Sequence, residues 1–163
     1  MLRRALLLFA FASLAACGFH LKGMGHHALQ LDGGVRLIVA DVPEEALQPV
    51  REAFARQGVA LDDGADARYV IRLGDFTNRR FESAVGGIHG QSRVLDLRKA
   101  FTAHIEKDGE TLGQQTLASE TSITYHSEQY LGNLADDERA QHSLNRDNAD
   151  KLLRFFQATV AKP

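Results

Sequence analysis

Apolar positions recur at helical spacing in two stretches of the chain and alternate with polar ones in others. Residues 35–40 (VRLIVA) form a short apolar run rich in β-branched side chains, which predicts a buried strand. Asp41 and Pro43 then read as a helix start, an aspartate cap followed by a proline where its missing N–H matters least. Glu44 and Glu45 complement the helix dipole, and Leu47, Val50 and Phe54, with Ala46 and Ala53, share one face. Gly58 ends this helix, and Pro49 removes one backbone hydrogen bond and should bend it.

A second strand is expected over residues 68–80. Tyr69, Ile71 and Leu73 alternate until Gly74 breaks the parity before Phe76, which predicts a bulge or twist. Over residues 93–107, Leu95, Leu97, Phe101, Ala103 and Ile105 share one parity, with Lys99 the exception. The opposite parity carries Asp96, Arg98, Thr102, His104 and Glu106, so this strand is half-buried with one polar face. Asp108-Gly109 is a two-residue hairpin signal, because both turn positions need positive φ. The return strand, residues 110–125, puts Leu117, Thr121, Ile123 and Tyr125 opposite Thr116, Glu120, Ser122 and Thr124. Residues 136–162 predict a second helix capped by Asp136 or Asp137. Its stripe runs through Ala140, Leu144, Ala149, Leu152, Leu153, Phe156 and Val160, with a weak centre at 145–148. The first strand–helix–strand unit should be a right-handed crossover between parallel strands. The expected fold is an α/β (α+β) two-layer sandwich, a mixed four-stranded sheet with two helices on one face.

The N-terminus adds a compartment. Arg3 and Arg4 precede an apolar run at 5–12 (ALLLFAFA), and Leu14-Ala15-Ala16-Cys17 closes with small residues before a cysteine. The run is too short to span a bilayer, which takes roughly 20 apolar residues. A plain signal peptide or a short anchor helix has no use for a thiol, whereas a lipobox needs one as the nucleophile that receives lipid. The chain's single cysteine sits there, leaving no second thiol for a disulfide or a metal site. The expected organisation is therefore a lipoprotein signal peptide at 1–16, lipidated Cys17 and a Gly- and His-rich tether at 17–34, and one domain at 35–163. Cys17 would carry an S-diacylglycerol and an N-acyl chain, each buried methylene contributing roughly 0.8 kcal/mol to a membrane anchor. Gly18 stands where an aspartate would commonly retain a lipoprotein at the inner membrane, so the expected destination is the outer membrane. Without residues 1–16 the chain has 147 residues, with 17 basic against 21 acidic side chains and a net charge of −4, which argues against nucleic acid as a partner.

Cys17-Gly18-Phe19-His20-Leu21-Lys22-Gly23 resembles the mature start of the LptE family, the lipopolysaccharide-assembly lipoproteins of Gram-negative outer membranes. The order of elements, with a long hairpin and a terminal helix, is similar too. The resemblance implies a one-to-one pairing with an LptD-like β-barrel, residence largely inside its lumen, help in its assembly, and contact with lipopolysaccharide in transit. On pattern alone the polar strand face reads as solvated; the resemblance implies that it meets the polar wall of a large barrel. Another reading is an outer-membrane lipoprotein that serves as a protein-interaction module, such as an activator of a cell-wall synthase.

Lipopolysaccharide presents phosphates and acids, which arginine and lysine meet with charge-assisted hydrogen bonds. Taking residues 82–92 (ESAVGGIHGQS) as a hairpin loop brings Arg79 and Arg80 beside Arg93, with Arg98 and Lys99 farther along the strand. These five are the candidate ligand residues; the alternatives are solvated strand ends or contacts to barrel acids. His26, His27, His89, His104, His126 and His142 lack ligand spacing, so no metal is expected. No Lys-Ser/Thr follows the glycines at 86, 87 and 90, and no G-x-S-x-G pattern occurs. An enzyme, a periplasmic hydrolase included, is therefore not expected, and no cofactor is.

Overall fold

The computed structural model describes residues 29, 31–62, 64, 67–85, 92–126 and 130–161. The expected signal peptide, Cys17 and the opening motif lie outside these residues, as do positions 86–91. Five strands, β1 (Val35–Val39), β2 (Leu61–Asp62), β3 (Tyr69–Val85), β4 (Ser92–Lys107) and β5 (Glu110–His126), accompany two helices, α1 (Glu44–Ala55) and α2 (Tyr130–Val160). The four anticipated strands make the mixed sheet, and the two-residue β2 adds a parallel pairing at the outer edge of β1, giving the order β2-β1-β3-β4-β5. β1 and β3 are parallel neighbours, while β3, β4 and β5 form an antiparallel meander. Both helices bury their apolar stripes against one face of the sheet. The architecture is a two-layer α+β sandwich.

Gly74 marks the parity switch that alternation predicts. The β3–β4 register slips between Gly74 and Thr77, and Asp75 takes a positive φ of 53°. Before the bulge the odd residues Tyr69, Ile71 and Leu73 face the helices. Beyond it the even residues do, since Asn78, Arg80 and Glu82 are paired with Lys99, Leu97 and Leu95. The turn Asp108-Gly109 has φ of 50° and 87°, as the hairpin signal requires.

The caps differ from the expectation. Asp41 makes no cap: Pro43 occupies the N-cap of α1, and the Asp41 carboxylate accepts the Phe76 N–H at 3.2 Å, securing the bulge. Helix α2 starts at Tyr130, so Asp136 and Asp137 lie inside it; Asp136 pairs with Arg139 and Asp137 with Arg80 at 3.4 Å. The helix runs on unbroken through 145–148. Pro49 leaves the Glu45 carbonyl without its helical donor, and Asn145 of α2 supplies one from Nδ2 at 3.1 Å. The proline thereby becomes an attachment point between the helices.

Buried apolar side chains fall into two clusters. The larger joins both helices to the proximal sheet through Phe54, Ile71, Phe101, Ile105, Leu152 and Phe156. The smaller consists of Leu95, Leu97, Ala140 and Leu144, with Ile123 and Tyr125 against it, under the first half of α2. At Gly113 α2 packs against β5, where a Cβ would make ordinary van der Waals contact with the Phe155 ring, 3.4 Å away.

Candidate functional site

The hairpin is longer than composition suggests, because β3 and β4 remain paired as far as Val85 and Ser92. That register changes the expected basic cluster. Arg93 lies opposite Ala84, Arg79 opposite Arg98, and Arg80 opposite Leu97, so Arg79 and Arg80 are not directly beside Arg93. Strand alternation puts the two adjacent arginines on opposite faces of the sheet, and the bulge decides that Arg80 is the one on the helix side. Arg79 and Arg98 are exposed neighbours on the face away from the helices, with Glu120 opposite Arg98 on β5. Arg80 and Arg93 lie on the helix side, where they line a cleft of about 420 Å³ with Glu82, Leu95 and Tyr125. Each already has a carboxylate: Arg80 meets Asp137, and Arg93 Nη1 donates to Glu82 Oε1 at 2.7 Å.

Lys99 is set apart from the other four. It keeps the parity of its apolar neighbours, so its side chain is driven into the interior and only 1% remains exposed. Its Nζ donates to Asn145 Oδ1 at 3.0 Å and lies 3.9 Å from the exposed Glu45 carboxylate. Burial pushes the ammonium below its ordinary pKa, with the Glu45 and Asp137 charges opposing that shift. An anionic ligand at the surface cannot reach it.

Asn145 and Asn148, three apart on α2, complete a buried polar layer that sequence reasoning took for a weak stretch of helix. Asn148 Nδ2 donates to the Lys99 carbonyl at 3.0 Å, and Ser119 Oγ donates to Asn148 Oδ1 at 2.8 Å. Lys151 Nζ donates to Ser119 Oγ at 2.8 Å and to the Ala118 carbonyl of the edge strand. The available signal was a lysine on an apolar strand face, which requires an acceptor from the opposing helix.

Two surfaces remain open. A cleft of about 630 Å³ along the β5 edge sets Arg98, Lys151 and Arg154 against Glu120, Asp147 and Asp150, a balanced charge with no preference for an anion. The sheet face opposite the helices is mostly polar along the meander, with the apolar Val70, Val94 and Ala100 on it and Phe81, paired with Asp96, exposed there. Thr102 and Thr116 share a hydrogen bond at 3.2 Å, Ser122 donates to Asp96 at 2.5 Å, and Arg72 Nε donates to Glu106 at 2.9 Å. Among the described residues no cluster of three or more His, Cys, Asp or Glu side chains is placed to hold a metal. No helix among them is long and apolar enough to cross a membrane.

A charged clamp sits just before β1, behind Leu29 and Leu31, which pack against the core. Asp32 accepts from Tyr69 Oη at 2.6 Å, Arg68 Nη1 at 2.6 Å and Lys107 Nζ at 3.3 Å, while Arg68 also holds Asp108 in the hairpin turn. The Tyr69 hydroxyl, then Lys107 and Arg68, hold the Asp32 carboxyl down at about 2, against an ordinary 3.8. A depressed carboxylate stabilises the fold above its unfolded value, and that contribution is lost as pH falls through the folded value. Asp32→Asn is therefore expected to flatten the loss of thermal midpoint between about pH 4 and pH 2. Equal slopes for the variant and the parent chain over that window would refute the role of Asp32.

The fold defines the class, a small sandwich whose meander outruns its helices, and solved structures share it. One is a minor lipoprotein from Acinetobacter baumannii, 22% identical, with a TM-score of 0.63 over 82% of this chain and 98% of that one. The rare lipoprotein B from Shewanella oneidensis is 21% identical, with a TM-score of 0.56 over 77% of this chain and 95% of that one. An uncharacterized lipoprotein B from Nitrosomonas europaea is 14% identical, with a TM-score of 0.63 over 89% and 94%. At these identities the likeness is one of fold. No protein-family model and no curated protein sequence matches the chain.

Proposed function

We propose that this chain is an outer-membrane lipoprotein, anchored through acylated Cys17, that plugs an LptD-like β-barrel one-to-one, assists its assembly and takes part in lipopolysaccharide transport to the cell surface. The carrying observation is the long meander whose second face is covered by no helix among the described residues and carries many hydrogen-bonding side chains. A barrel lumen has a polar wall, and the hydrogen-bonding groups of such a face can pair with it, while the exposed Phe81 offers one apolar contact on the same face. The opening motif at Cys17 and a fold in common with bacterial lipoproteins support the same reading. Arg80 and Arg93 beside Leu95 and Tyr125 offer cation and apolar surface together, the chemistry a phosphorylated lipid requires, and they are the residues through which direct contact would run. The role is in binding and structure, without catalysis.

Depletion of the protein, with barrel levels held constant, is expected to lower lipopolysaccharide at the cell surface; normal delivery would remove the export reading. Affinity capture through the lipoprotein is expected to recover an outer-membrane β-barrel, and recovery of a cell-wall synthase in its place would replace that partner. Cys17→Ala is expected to leave a folded domain that is released from membranes when no partner is present. Its retention there would contradict the anchor.

A further inference from the structure

The two apolar clusters are not one core with a narrow waist. Between them lies the layer of Lys99, Ser119, Asn145 and Asn148, all at most 5% exposed and joined by hydrogen bonds from strand to helix. Outward of that layer buried apolar packing is sparse, and the strands are held mainly by the β3–β4 and β4–β5 ladders. Among the described residues the buried distal cluster is Leu95, Leu97, Ala140 and Leu144, with Ile123 and Tyr125 partly buried against it, and beyond the bulge β3 pairs with β4 and no longer with β1. The same half of α2 carries two buried acceptors without a donor, Asp137 Oδ1 and Gln141 Oε1, one helical turn apart. A buried acceptor without a protein donor costs free energy in the closed arrangement, and opening lets it be satisfied by solvent. Among the described residues, three of the four exposed large apolar side chains, Phe81, Leu131 and Leu134, also lie in this part.

We propose that the distal end, residues 78–85, 92–97, 121–126 and 130–144, is a separate cooperative unit that opens beyond the Lys99–Asn145 layer while the proximal core stays closed. Apolar packing transmits cooperativity through contiguous contacts, and here the contacts are interrupted by a polar stratum that is satisfied from the proximal side. Asn145 is held by the Glu45 carbonyl, and Asn148 by Ser119 and the Lys99 carbonyl, so the layer remains in place when the distal cluster parts. Opening uncovers Leu95, Leu97 and Leu144 together, an apolar strip the closed chain hides. No partner is required.

Native-state hydrogen exchange of the purified chain in rising, sub-denaturing urea tests this. The amides of Leu95, Leu97, Gln141 and Leu144 are expected to share one opening with a small urea dependence, exchanging at least about tenfold faster than those of Ile71, Ala103, Ile105, Leu152 and Phe156. Leu144→Ala is expected to speed the distal set about tenfold further and move the proximal set less than about threefold. A single rate and urea dependence for both sets would overturn the proposal. So would a smooth decline in protection towards the hairpin tip, which is fraying, or a Leu144→Ala effect of equal size on both sets. The wild-type measurement decides the matter if the variant does not fold.

Discussion

Phe156→Ala is expected to lower stability by about 3–5 kcal/mol, a large share of the roughly 5–15 kcal/mol that holds a domain folded. Phe156 is fully buried where both helices meet the sheet. Its ring lies 5.3 Å from that of Phe54 on α1 and 5.9 Å from that of Tyr69 on β3, both edge-on, a geometry that adds to plain burial. Truncation therefore strikes three elements at once. It also frees the Tyr69 ring, whose hydroxyl donates to Asp32 in the clamp just before β1. The cavity cannot collapse readily, because the Phe54 backbone is pinned by Gln57 and Val59 donating to its carbonyl. Urea unfolding followed by circular dichroism measures the loss, with a thermal midpoint lower by about 10–15 °C for a chain of this size. Phe155→Ala, one residue away and only partly buried, should lose less. Comparable losses at the two positions, or a loss at Phe156 below about 1 kcal/mol, would mean the core is centred elsewhere.

How much of this was legible in the sequence differs from element to element, for physical reasons. Alternation on β4 and β5 specified their faces, because a strand with one buried side has no freedom to slip by a residue. The parity break at Gly74 located the bulge, and the helical stripes identified the face that each helix buries. Element ends were harder to read. Nothing local separates residues 81–85 from a loop: they belong to a strand because β4 pairs with them, a long-range condition. Asp41 looks like a cap to any local rule, yet its carboxylate is taken by the Phe76 N–H thirty-five residues away. The start of α2 was obscured in the same way, since Asp136 and Asp137 have capping chemistry but spend it on Arg139 and Arg80. As for the site, a list of basic residues treats Arg79, Arg80 and Lys99 alike. One bulge and one parity then send them to three environments: the open face, the helix-side cleft and the interior.

Asn145→Ala is expected to cost about 3–5 kcal/mol, far beyond the loss of a surface amide, because it strands a buried charge. Lys99 would keep no hydrogen-bonding partner, only the charges of Glu45, 3.9 Å away and largely solvated, and of the more distant Asp137, and the carbonyl that Pro49 leaves free would lose its donor as well. Lys99→Met is a different experiment, since it removes the ammonium and keeps the length of the side chain. The orphaned Asn145 Oδ1 costs about 1–3 kcal/mol, and release from burying a poorly paired charge offsets it, so the single variant should lie within about 1–2 kcal/mol of the parent. Combined, Lys99→Met is expected to restore a large part of what Asn145→Ala loses, with a coupling of about 2 kcal/mol. The pH dependence separates this charge effect from packing. A lysine whose folded pKa is depressed penalises the fold fully below that value, and the penalty disappears as pH rises towards its ordinary 10.5. Stability of the parent chain should therefore gain an upward contribution across that alkaline window, steeper in Asn145→Ala and absent wherever Lys99 is methionine. Additive free energies, with alkaline slopes unchanged by Lys99→Met, would show that the layer is held by shape alone and that the charge at its centre is solvated by other means.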